Sequence, residues 1–374
     1  MNNIGALSDN SRLAASIMAI ISQKAALTDL IIQEGHPIRA KTASGIEVMD
    51  SLVVEAADIQ HFFANYVEQG VTRSMNYWKT DIEPLLVNRQ AVNRSLPTGT
   101  DKYLRFSLFQ HQRGRLAMVV RVTTPPPALD DVGLTDKLIS RIKTSPRGLV
   151  IITGPTASGK TSTALSILDW LNHNTAGHIV TVEDPIEYPM RADKCVFTQR
   201  EVGLDVASFG DGLRDAMRQA PEAILAGEVR DRDTAEAAVL GGESGALMLV
   251  TTHGKSVTGT LRKILTLTGD STSAMRAVLA GSLLGVVRQE LVPKADGSGY
   301  VLVADTLHAT GQVRGLIEEG NWNQLDSMTR PNTPANKNFQ SMAMKLRSLV
   351  ENGVIAKSEE VQLVGPLGDQ SRDD

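Results

Sequence analysis

The sequence predicts an α/β protein in two parts: a small N-terminal α/β domain, then a larger domain with a mostly parallel, helix-covered sheet and a helical C-terminal portion. Three observations carry this reading. Short apolar runs at Gly148–Thr153, Ile179–Glu183, Ala223–Gly227 and Leu247–Thr252 alternate with helix-period segments, as a parallel sheet with crossover helices requires. The prolines Pro125, Pro126 and Pro127 separate that series from an earlier group of strand and helix signals. The length of 374 residues, at about 150 per domain, allows two or three domains.

Along the chain, Leu13 to Lys24 has amphipathic-helix spacing, and Leu27 to Gln33 has the β-rich character of a strand. Gly35-His36-Pro37 marks a turn, and Val54 to Val67 returns to helical spacing. Leu104–Phe109 and Leu116–Val122 suit two strands joined around Arg113-Gly114. These segments define a first domain over residues 1–123. Thr124 and the prolines withhold consecutive backbone donors and favour an extended connector, so 124–138 reads as a linker and 139–374 as the second domain. From about Ser273 helical patterns dominate, at Ala274–Leu291 and Ser341–Glu351, broken by a β segment at Val301–Asp305. Leu279, Leu283, Val286 and Val287 read as a helix-packing stripe, and the polar tail Gly365–Asp374 as frayed.

Composition narrows the function classes. Apolar residues make up 42% and charged residues 21%, and 38 Lys+Arg stand against 42 Asp+Glu for a net charge of -4, which excludes a wholly basic nucleic-acid wrapper. The one cysteine, Cys195, permits neither an intrachain disulfide nor a cysteine-rich zinc site, so a reducing cytosolic setting is expected and Cys195 reads as a buried filler. No apolar run approaches the roughly 18 residues of a membrane span, and the stretch Met1-Asn2-Asn3 onward has neither the basic start of a signal peptide nor the second-position glycine of myristoylation, so neither is expected. Membrane association is therefore expected through a partner.

Gly154-Pro155-Thr156-Ala157-Ser158-Gly159-Lys160-Thr161 satisfies G-x-x-x-x-G-K-[ST] directly after a predicted strand and before a predicted helix. Glycines let the chain wrap phosphates, the loop N–H groups and helix start supply positive potential, and Lys160 adds a mobile charge. Thr161 can place its hydroxyl on Mg²⁺. A loop that merely turns strand into helix does not account for Lys160 and Thr161 at this spacing, so ATP is the expected ligand.

Splitting a phosphoanhydride with water also needs a carboxylate, ideally at the end of a neighbouring strand. Glu228 follows Ile224–Gly227 in that position, and Glu183 closes Ile179–Val182. His253, after Leu249–Thr252, is placed to meet a γ-phosphate. Arginines can stabilise developing phosphate charge, and Arg105, Arg113, Arg115 and Arg121 are expected to cluster in the strand-rich end of the first domain. Arg214, Arg218 and Arg230 are further candidates, and the remaining histidines show no metal-ligand spacing.

These motifs, in this order, resemble one family: the hexameric ATPases of type II and type IV secretion and type IV pili, especially the pilus-retraction branch. The likeness rests on Gly154–Thr161, Thr181-Val182-Glu183-Asp184-Pro185-Ile186-Glu187-Tyr188, Leu213–Gln219 after Val202-Gly203, Gly227-Glu228-Val229-Arg230-Asp231 and Thr251-Thr252-His253. It extends over residues 25–355, through Thr28-Asp29-Leu30, Arg105-Phe106, Arg121, Gln312–Gly320 and Phe339–Met342. The resemblance implies a PAS-like first domain, a RecA-like P-loop NTPase second domain and catalytic sites in a ring of six subunits. It implies that Lys160 and Thr161 hold phosphate and Mg²⁺, that Glu228 activates water, that Glu183 assists and that His253 senses the γ-phosphate. Arg105, Arg113 and Arg121 match arginines that reach toward nucleotide from the first domain.

Three departures separate the chain from true retraction motors: Ser107 replaces a usual arginine, Ala220 replaces an acidic residue before Pro221, and Ile31 replaces a histidine. They draw it toward ATPases of conjugative or effector-delivering type IV secretion. The implied protein is a cytoplasmic homo-hexamer, peripheral to the inner membrane through a platform protein, with no membrane span and no obligatory nucleic acid. The alternative is an ATP-driven nucleic-acid motor or loader on the same core, expected to show a basic channel.

Overall fold

The computed structural model describes residues 11–23, 27–42, 45–67, 78–88, 90–97, 103–269, 273–330 and 336–364. The predicted tail Gly365–Asp374 and the helix end at Lys24 lie outside them. The chain divides into two compact units, Met1–Pro125 and Pro126–Asp374.

Helix α1 (Arg12–Gln23) opens the first unit, with the Ser11 hydroxyl accepting from the Ala14 N–H. Its Leu13, Ile17, Ile20 and Ile21 fall on one buried face. Six strands follow, β1 (Asp29–Gln33), β2 (Pro37–Thr42), β3 (Gly45–Val53), β4 (Val92–Pro97), β5 (Tyr103–His111) and β6 (Arg115–Thr123), with α2 (Ala56–Phe62), extended by a π-helical turn at Phe63–Val67, and α3 (Glu83–Val87). The strands form one antiparallel sheet in the order β3-β2-β1-β6-β5-β4. Leu30, Ile32, Phe106 and Val120 pack on one face against Ile17, Ile59 and Phe63. β2, β3, β4 and the helical stretch Trp78–Val87 were not expected from the sequence. β3 lies at the sheet edge with Ile46, Val48 and Val53 all exposed, so it lacks the half-buried alternation that marks a strand.

The second unit contains helices α4 (Asp136–Thr144), α5 (Lys160–Asn174), α6 (Phe209–Ala216), α7 (Arg232–Gly241), α8 (Val257–Leu267) and α9 (Ser273–Ser282). Its strands are β7 (Gly148–Thr153), β8 (Gly177–Glu183), β9 (Cys195–Glu201), β10 (Ala223–Ala226), β11 (Leu247–Thr252), β12 (Leu283–Pro293), β13 (Tyr300–His308) and β14 (Phe339–Gln340). Four more helices, α10 (Gly311–Glu319), α11 (Trp322–Met328), α12 (Met342–Glu351) and α13 (Lys357–Val364), follow β13. The sheet order is β14-β13-β12-β7-β11-β10-β8-β9, with every pairing from β12 to β9 parallel and β13 and β14 antiparallel. β7, β10 and β11 are buried throughout, which is why they read as unbroken apolar runs.

The expected helix Ala274–Leu291 is corrected: α9 ends at Ser282 and Leu283 begins β12. Leu279 belongs to the helix, whereas Leu283, Val286 and Val287 belong to the strand. β12 sits between β7 and β13 with both faces covered, so its apolar residues carry no period that separates strand from helix. The C-terminal portion is accordingly part sheet: β12, β13 and β14 widen the parallel core before α12 and α13 close the chain. Cys195 is buried, its thiol 2.9 Å from the Thr175 carbonyl. Among the described residues no helix is long and apolar enough to cross a membrane.

Candidate active site

Parallel pairing sends the C-terminal ends of β7, β11, β10 and β8 to one edge of the sheet, and the loops leaving them carry Gly154–Gly159, His253, Glu228 and Asp184. The first loop turns into α5 at Gly159, the N-cap, held at φ 82 where glycine avoids a Cβ clash. Ala157 occupies the same left-handed region at φ 63, its side chain exposed with Pro155 and Thr156, while Ser158 is buried. Lys160 Nζ donates to the carbonyls of Gly154 (3.1 Å) and Pro155 (2.7 Å). Burial pulls the Lys160 ammonium below its usual range, opposed by the charges of Glu228 and Glu187. Thr161, half-buried, lies in the first turn of α5 beside the unpaired N–H groups of the helix start.

His253 joins the loops of β7, β11 and β10. Its Nδ1 is 3.1 Å from the Gly154 carbonyl and its Nε2 is 3.2 Å from Glu228 Oε1. Arg230 hydrogen-bonds the other Glu228 oxygen. Burial on its own raises the Glu228 carboxyl, but the Arg230 bond and charge, with His253 and Lys160, outweigh it and hold the group below the ordinary carboxylate range. The loop bearing Glu228 is fastened to β11: Val229 N–H donates to the Thr251 carbonyl at 2.8 Å, Thr251 Oγ1 donates to Gly227 O, and Thr252 Oγ1 donates to Val229 O at 3.1 Å. Lys263 on α8 donates to Thr252 Oγ1 (3.2 Å) and His253 O (2.9 Å), fixing the histidine's backbone.

Glu183 has a different environment. It is 2% exposed, and it accepts from Thr181 Oγ1 (2.7 Å), Gln199 Nε2 (3.2 Å) and the Glu187 N–H (3.3 Å). Burial pushes its carboxyl up despite these donors. Gln199 also donates to Tyr188 O at 3.1 Å, so the pair shapes the 184–188 loop, whose Glu187 charge reaches Lys160. Sequence reasoning singled out Glu183 and passed over Glu187, Thr251, Thr252 and Lys263. Glu187 stands four residues past Glu183 within the same acidic run, and Thr251 and Thr252 directly precede His253, so a signal was present for all three; Lys263 carries none, because only the fold aims its side chain.

Arg105, Arg113 and Arg121 lie in the first unit. Arg105 and Arg121 are directly opposite on β5 and β6, and Arg121 is in turn opposite Asp29, with which it forms a 2.8 Å ion pair. Arg113 sits in the β5–β6 turn at φ 68. The six residues from Arg105 to His111, which pairs with Arg115, amount to about 20 Å along the strand, so the expected single arginine cluster is two separate pairs of positions. The reason is the hairpin: residues near in sequence to its tip are far from its open end.

The type II/IV secretion system protein family matches residues 115–349, more than half of the chain. The chain belongs to that family. The family's type IV pilus retractation ATPase PilT of Pseudomonas aeruginosa is 35% identical over 254 residues, which is 68% of this chain and 73% of that protein. The type IV pilus ATPase PilU of the same organism is 34% identical over 278 residues, 71% of this chain and 72% of that one. The crystal structure of the pilus retraction motor PilT with bound ADP aligns at a TM-score of 0.77 and 29% identity, covering 95% of this chain and 97% of that chain. The Legionella pneumophila ATPase DotB aligns at 0.77 over 96% of both chains with 23% identity, a likeness of fold. The α/β class and the resemblance to pilus and secretion ATPases are thereby borne out: the family's named members are ATPases of these machines.

Proposed function

We propose that the chain is the ATP-hydrolysing motor subunit of a type IV pilus or type IV secretion machine, working as a homo-hexamer on an inner-membrane platform protein. The observation that carries this is the meeting of Gly154, Glu228 and His253 at one sheet edge, with the Glu228 charge acting on Lys160. The loop Gly154–Thr161 binds the triphosphate through N–H groups and Lys160, whose ammonium exchanges loop carbonyls for phosphate oxygens. Glu228, kept ionised by its neighbours, accepts a proton from the attacking water. His253 couples that carboxylate to the phosphate loop, so a change at Gly154 is felt at Glu228. Glu183 acts behind the site by shaping the loop of Glu187. Thr161 would hold Mg²⁺, which supplies charge neutralisation on the phosphates.

The two domains are joined through the proline-bearing stretch that begins at Thr124, and their relative rotation is the mechanical output. Arg105, Arg113 and Arg121 are the first-domain candidates for stabilising phosphate charge. The subunit is cytoplasmic and peripheral to the membrane through its platform. Phosphate release and ATP-binding titration of purified protein with magnesium test this reading. Lys160→Ala should lose both, and Glu228→Gln should keep binding while losing turnover. A wild-type protein that neither retains ATP nor releases phosphate overturns it.

A further inference from the structure

The phosphate loop rests on a strand that none of the nucleotide motifs includes. Gln289, in the middle of β12, is fully buried, and its Nε2 donates to the Ser158 carbonyl at 2.7 Å, across a separation of 131 residues. Its backbone carbonyl lies so near the loop's start that a Cβ at Gly154 would meet it at 2.3 Å. A Cβ at Gly159 would come within 3.4 Å of both Gln289 Nε2 and Leu291 Cδ1. β12 therefore touches the first residue, the last turn and one internal carbonyl of the loop. Gly154 is glycine for this approach as well as for phosphate: at φ 152 it presses its missing side chain into β12.

We infer that Gln289 is a positioning residue for the phosphate loop, holding the Ser158 peptide so that the loop N–H groups converge before nucleotide arrives. This deepens the ATPase reading and rests on it for its functional consequence. Ser158 follows the left-handed Ala157 and precedes the left-handed Gly159, so its peptide is the point where the loop reverses direction. Ser158 Oγ and Gln289 Oε1 are both buried without hydrogen-bond partners, which leaves the Nε2 bond as the polar tie between the two side chains' surroundings. Removing the donor takes from the Ser158 carbonyl its bond to the buried Gln289, and the cheapest response is for the loop to open. Preorganisation of this kind is felt in affinity for phosphate before it is felt in the chemical step.

Hydrogen–deuterium exchange on the full chain without added nucleotide, comparing wild type with Gln289→Met, reads the loop directly. Methionine keeps the length and apolar volume and removes the donor. Exchange across residues 154–161 should quicken by about tenfold while β8, β10 and β11 keep wild-type protection. The KM for ATP should rise by a similar factor with kcat lowered less. Unchanged loop exchange, or equal loosening of the loop and the three strands, overturns the inference. If Gln289→Met does not fold, Gln289→Leu, which also lacks the donor, takes its place under the same criteria, and failure of both to fold makes Gln289 a core residue and likewise overturns it. Loss of wild-type ATP turnover sinks the ATPase reading alone, because the exchange comparison needs no nucleotide.

Discussion

His253 presents Nε2 to Glu228 Oε1 at 3.2 Å while its Nδ1 lies 3.1 Å from the Gly154 carbonyl. A neutral imidazole donates from one nitrogen only, so the tautomer decides which of the two contacts is a hydrogen bond. The ring thus bridges the phosphate loop and the candidate base.

Cutting that bridge separates binding from turnover. His253→Ala should lower steady-state phosphate release by about tenfold to a hundredfold, the range for a hydrogen bond to a charged group, with ATP affinity little changed. Titration of bound nucleotide beside a phosphate-release assay checks it, and a variant as fast as wild type argues against the coupling.

Arg230 makes a second prediction, this one about pH. Its bond and charge help to hold the Glu228 carboxyl below the ordinary range against burial, which acts the other way. Arg230→Ala should let the Glu228 value rise, so the acid limb of the kcat–pH profile should move to higher pH. An acid limb that stays where it is would remove Arg230 from this role.

Glu183 has the opposite sign. Burial raises its folded-state value above the ordinary 4.5 of a glutamate, so its contribution to stability is full below that value and is lost as pH rises through the folded one. Relative to Glu183→Gln, the wild type should lose stability on going from about pH 4.5 upward. Urea midpoints of the two proteins across that window measure the difference, and parallel curves would contradict it.

Ala220 sits at φ 50, exposed, just before Pro221. A Cβ in this region is strained, and glycine removes the strain at some cost in unfolded-chain entropy. Ala220→Gly should therefore stabilise the chain by about 0.5 kcal/mol, read as a higher urea midpoint at constant slope. A lower midpoint would show that the left-handed geometry is not strained there.

Legibility in the sequence followed burial and locality. The strands β7, β10 and β11 are covered on both faces and announce themselves as apolar runs, and the phosphate loop is a contiguous motif. β12 opens on the apolar run Leu283–Val287, yet it follows α9 without a break, so the run from Ala274 was read as one helix. β3 failed for the reverse reason, since an edge strand exposing Ile46 and Val48 has no burial pattern to display.

The residue order alone pointed to the α/β class and the family and singled out Lys160, Thr161, Glu228 and His253 as candidates, because phosphate chemistry demands particular groups at short, local spacings. The partners of those groups were settled by tertiary structure. That His253 spans Gly154 and Glu228, that Glu183 turns inward to Thr181 and Gln199, and that Gln289 underlies Ser158 depend on which strands lie side by side. Strand neighbours in a crossover sheet are far apart in sequence, and no local spacing encodes them.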